Sequence, residues 1–166
     1  MALPKLNTQT YELEVPSTDE KIRYRPFLVK EEKILLQAQE GGETEIMDAV
    51  ADVVESCTFG KLDVSKLPSF DLEYIFLKIR SKAVGEKVTL NLPFPGDENV
   101  KVPTKVDLSK VEVHMDEEHT NKIDLTDEVS VVMRYPTIKT FGGISVTKLT
   151  ADDAVEMTSR CIHQVI

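Results

Sequence analysis

Residues 20–37 read "EKIRYRPFLVKEEKILLQ" (Glu20–Gln37), a stretch that begins as a strand, breaks at a proline and becomes a helix. Ile22 and Tyr24 alternate with Lys21, Arg23 and Arg25, the period of a half-buried strand. Pro26 cannot donate to a strand ladder and ends the run. Helix formers take over near Val29, with Ile34, Leu35 and Ala38 on one side, until Gly41–Gly42 stops them.

Upstream, Tyr11, Leu13 and Val15 alternate with Thr10, Glu12 and Glu14, and "PSTDE" supplies turn chemistry. Residues 10–25 therefore read as a β-hairpin. Arg23 and Arg25 fall opposite its apolar face, beside Glu12 and Glu14. They either pair across the hairpin, where opposite charges contribute roughly 0.2–1 kcal/mol per pair, or offer an arginine strip to an acidic partner.

Downstream, Ile46, Met47, Val50, Val53, Val54 and Cys57 form an amphipathic stripe that predicts a helix from Glu43 to Cys57, closed by Gly60. A third helix follows Pro68, with Ser69 or Asp71 near its start and Leu72, Ile75, Phe76 and Ile79 as its buried face. Lys78, Arg80 and Lys82 suit its last turns before Gly85. From Glu86 the period changes to two. Val88, Leu90 and Leu92, then Val100 and Val102, Val111 and Val113, Ile123 and Leu125, and Val129, Val131 and Met133 predict short strands. A last helix is predicted from Thr150, carrying Ala154, Val155, Met157, Cys161, Ile162 and Val165 to the end. It has no closing glycine, proline or basic turn, which points to a partner that buries it or to a chain cut short.

The expected class is α+β: an N-terminal β-hairpin, a segment of about three helices, a small antiparallel β-sheet or partial barrel, and a C-terminal helix. The divisions are 1–85 for hairpin and helices, 86–135 for the β subdomain, and 136–166 for a linker and terminal helix.

Composition narrows the function classes. The chain has 166 residues, 41% hydrophobic and 30% charged, ordinary for a globular domain. Aromatics are 6% and Trp is absent, a poor base-stacking platform. The net charge of −9 repels a phosphate backbone unless a local basic patch overcomes it, so no nucleic-acid partner is expected. No window resembles a membrane span or a signal peptide, and Cys57 and Cys161 read as buried free thiols. Between Asp107 and Glu128, eight carboxylates face two lysines, a balance of −6. Asp116, Glu117 and Glu118 head this region, read as a solvated face or a docking surface for a basic partner.

Catalytic signals are missing. "FGG" at Phe141–Gly143 lacks the lysine and hydroxyl of a phosphate cradle. His163 lies two positions from Cys161, a spacing that points helical side chains apart. His114 and His119 flank "MDEE" without zinc or calcium spacing. A metal- or ligand-binding β-module with a helical appendage is the alternative reading they leave.

Four stretches, "MALPKLNTQTYELEVPSTDEKIRYRPFLVKEEKILL", "SCTFGKLDVSKLPSFDLEYIFLKIRSKAVGE", "HTNKIDLTDEVSVVMRYP" and "CIHQVI", together resemble the T4 baseplate protein family, the hub subunit and hub-assembly proteins of contractile-tailed phages. The resemblance covers nearly the whole chain. It implies a non-enzymatic role in building the baseplate hub, without cofactor or metal, in the host cytoplasm and in the virion tail baseplate. Its implied partners are other baseplate hub and tape-measure-associated proteins, in a homo- or hetero-oligomer and at no membrane. A zinc knuckle is not implied, because "LPFPGDENV" stands where relatives can carry cysteine pairs. The resemblance also implies further helix beyond Ile166. The surfaces expected to meet partners are Arg23 and Arg25, Asp116 to Glu118, and Val155, Met157, Ile162 and Val165.

Overall fold

The computed structural model describes residues 8–116, 118–142, 144 and 149–166, with the backbone alone of 98 and 99. Its class is α+β.

The N-terminal hairpin joins β1 (Tyr11–Glu14) to β2 (Lys21–Tyr24), in register Glu12 to Arg23 and Leu13 to Ile22. Alternation works as expected here. Ile22, Tyr24 and the adjoining Val15 are buried, while Glu12 and Arg23 face water. Helix α1 (Val29–Ala38) follows, its start fixed by Glu31, whose Oε2 accepts from the Leu28 amide at 2.8 Å. Helix α2 (Glu43–Cys57) has the predicted bounds and buries Ala49, Val53, Val54 and Cys57. It ends in two successive left-handed residues, Phe59 and Gly60, of which only the glycine adopts φ +65° without strain.

Helix α3 (Ser69–Val84) lays Leu72, Ile75 and Ile79 against α2 and the hairpin, which makes one core from the first 80 or so residues. Asp71, in its first turn, is buried. Its carboxylate accepts the Ser17 amide at 3.2 Å and the Ser17 hydroxyl, and so ties the hairpin turn to the helix.

The β region differs from the expected single sheet or barrel. β3 (Lys87–Phe94) and β4 (Asp97–Asp107) form a separate two-stranded hairpin. A second sheet has the order β5 (Lys122–Asp124), β6 (Ser130–Met133), β7 (Ile162–Val165), all antiparallel. Val111 and Val113 lie outside any strand.

The terminal helix also needs correction. α4 spans Ala151–Arg160, started as expected by Thr150, whose hydroxyl oxygen accepts from the Asp153 amide while Asp153 accepts from the Thr150 amide. The chain then leaves the helix at Cys161, and residues 162–165 pair with β6. The Ser130 and Ile166 backbones exchange two hydrogen bonds of 2.8 Å. Pairing with the β6 edge satisfies these backbone groups.

Candidate interaction surfaces

The two hairpin arginines have different fates. Arg23 Nε donates to Glu12 Oε1 at 3.0 Å, with both side chains mostly exposed. Such a pair contributes about 0.2–1 kcal/mol and leaves Arg23 available at the surface. Arg25 is neither a hairpin pair nor an exposed docking group. Strand alternation stops at Tyr24, and the Arg25 side chain turns inward. Its Nη2 donates to Glu31 Oε1 at 2.9 Å and to Ser56 Oγ at 3.1 Å, and its backbone amide donates to the Cys57 carbonyl at 3.0 Å. Burial alone would raise the Glu31 carboxyl, but hydrogen bonds from Arg25, the Leu28 amide and Lys30 hold it at about 2. The same burial pushes the Cys57 thiol up to about 11, away from nucleophilic use. This cluster locks strand to helices.

The acidic segment is open to solvent. Asp116 and Glu118 are exposed, and Asp116 Oδ1 accepts the Glu118 amide at 2.9 Å in a local turn. Glu117 lies outside the described residues. His119 stacks on Tyr135, ring centroids 6.0 Å apart, and both line a cleft of about 550 Å3 together with His163. Among the described residues, no three His, Cys, Asp or Glu side chains are grouped to hold a metal ion.

The apolar residues of the chain's last stretch are split between two elements. Val155, on α4, is 70% exposed, and Met157 is half-buried on the same helix. Ile162 and Val165 belong to β7, opposite Met133 and Val131, and both keep an exposed side. These four do not make one stripe, because the helix ends between them.

A run of exposed apolar residues lies on the β3–β4 hairpin. Its register places Val88 opposite Val106, Leu90 opposite Thr104 and Leu92 opposite Val102, all on one face. Leu90, Leu92 and Val102 are each more than 40% exposed, and Phe94 and Val100 are open toward the tip. The other face carries Lys87, Lys101 and Lys105 with Pro93 and Pro103. Prolines and lysines discourage strand addition at a free edge, so the face rather than the edge is what the hairpin offers. Its base is anchored: Leu108 is buried, its amide donates to the Glu86 carbonyl at 2.7 Å, and Lys78 Nζ donates to the carbonyls of Ser109 (3.0 Å) and Val111 (2.8 Å). The predicted alternation marked these residues as half-buried; nothing local in the sequence says that the cover is missing.

Residues 8–166 match the family model described as the T4 bacteriophage base plate protein. The chain belongs to that family. It is a phage baseplate-associated protein. No curated protein and no solved structure matches this base plate protein. No helix among its described residues is long and apolar enough to cross a membrane.

Proposed function

We propose that this base plate protein acts in building the baseplate hub, as a hub subunit or as a chaperone of hub assembly, by protein–protein contact and without catalysis. Its partners are other hub and tape-measure-associated proteins, met in the host cytoplasm during assembly. The single observation that carries the reading is the β3–β4 hairpin of a baseplate-family chain, which holds Leu90, Leu92, Phe94, Val100 and Val102 out of its own core. Monomeric proteins rarely leave such a contiguous patch open without a partner. The buried polar groups support it from the other side. Arg25, Glu31 and Asp71 are all engaged in internal hydrogen bonds, which brace the fold.

Co-expression with the phage's hub proteins, followed by size-exclusion chromatography, tests the reading. A stable complex is expected from the native chain and its loss from Leu90→Ser with Leu92→Ser. A chain that elutes alone beside every hub component would end the proposal. Mass spectrometry of purified virions separates the two roles, since a subunit persists in the tail and a chaperone does not.

A further inference from the structure

One cleft runs against the overall charge of the molecule. About 550 Å3 in volume, it opens where the short turn Val64–Lys66 and the start of α3 meet the chain between β6 and α4. Lys66, Arg134, Lys139 and Arg160 line it, and none of its described lining residues is a carboxylate. Four cations converge here on a chain of net charge −9.

Backbone carbonyls hold two of these heads in place. Arg134 donates through Nε and Nη2 to the Arg160 carbonyl, at 3.3 and 2.9 Å. Arg160 Nη1 donates to the carbonyls of Thr140 (2.8 Å) and Gly142 (3.0 Å), while its Nη2 is taken by Glu156. Lys66 is likewise neutralised by Asp63 at 2.7 Å. Among the described residues, Arg134 and Lys139 make no ion pair. Two cations without an ion pair among the described residues therefore line, together with the half-exposed Tyr135, a cleft large enough for a few residues of another chain.

We propose that this cleft binds a short acidic segment of another polypeptide, its carboxylates meeting Arg134 and Lys139. The inference rests on the protein-contact reading given above. A guanidinium already oriented by a carbonyl presents its remaining donors to a carboxylate at little entropic cost. Charge decides against nucleic acid. A polyphosphate strand must leave the cleft and cross the acidic remainder, whose field reaches about 8 Å at physiological salt, whereas a short carboxylate motif ends within it.

The test uses the purified full chain, with fluorescence anisotropy of three labelled probes: a Glu-rich peptide, its Gln-substituted counterpart and an oligothymidylate of equal length. The Glu-rich peptide is expected to bind with an affinity that falls as salt rises, and the Gln peptide to bind far more weakly. Arg134→Gln and Lys139→Gln should each weaken binding about tenfold, the scale of one lost charge-assisted hydrogen bond, while Lys105→Gln on the β3–β4 hairpin changes nothing. Lys139 is exposed, so its variant keeps the fold, which circular dichroism checks. Equal binding of the Gln peptide, indifference to both cleft substitutions, or tighter binding of the oligothymidylate would overturn the proposal. No hub protein is in the tube, so this result and that of the co-expression assay fail independently.

Discussion

The Arg25 guanidinium and the Glu31 carboxylate meet at 2.9 Å with both side chains buried, and their contact fixes the end of β2 against the first turn of α1. A buried pair of this kind adds little over two apolar residues of the same size, but removing one partner strands the other. Glu31→Gln or Arg25→Met should each cost about 3–5 kcal/mol in urea unfolding, while the double replacement Arg25→Met with Glu31→Leu should cost much less than their sum. Additive losses would show that the two residues act independently.

Glu31 also sets an acid limit. Its folded carboxyl titrates near 2 against an ordinary 4.5, so it stabilises the fold by roughly 3 kcal/mol at neutral pH. Because the folded value is the lower one, that stability is fully present above 4.5 and is lost as the pH falls toward 2. Urea midpoints measured through this window should drop for the native chain and hardly move for the double replacement.

Asp71 works in the opposite sense. Burial raises its carboxyl above the ordinary 3.8, and the Ser17 hydrogen bonds only partly offset this. The folded value is the higher one, so this group favours the fold below 3.8 and loses that contribution as the pH rises through its raised value. Asp71→Asn should remove this dependence with little change in stability. Asp71→Ala leaves Ser17 without its acceptors and should cost about 1–3 kcal/mol by thermal melting.

Cys57, buried and held near 11, should resist iodoacetamide at pH 8 until the protein unfolds. Cys161 is buried as well, at the point where α4 gives way to β7. Mass-spectrometric labelling along a urea titration should find both thiols modified only through the unfolding transition. Labelling of Cys161 at lower urea would mean that the β6–β7 pairing opens first.

The exposed hairpin predicts a separation of stability from binding. Leu90→Ser and Leu92→Ser should each change stability by no more than the about 0.5 kcal/mol expected of a surface substitution, as urea unfolding checks, yet together abolish the complex with hub proteins. A large loss of stability would instead make these leucines part of the core.

Where local pattern governs structure, the chain was readable. α2 has a stripe long enough to exclude a strand, and its observed limits are the predicted Glu43 and Cys57. Thr150 and Asp153 announce their helix start from four consecutive residues. The failures came from partners distant in sequence. Ile162 and Val165 are spaced for either a helix or a strand, and the β6 edge, some thirty residues back, decides the matter. Extending the alternation one residue past the strand gives Arg25 the wrong face, because its partners come from α1 and α2. The basic cleft was not legible at all, because Lys66, Arg134, Lys139 and Arg160 are brought together only by the seam between the helical core and the second sheet. The bond from the Ser69 amide to the Pro136 carbonyl closes that seam.

The β3–β4 hairpin has one further effect. Eight residues of β3 reach about 26 Å at the usual strand rise, and Leu108 and Lys78 anchor the base. A neighbour gripping the tip would be held about that far from the helical body, so the length of the hairpin sets the spacing of the joint.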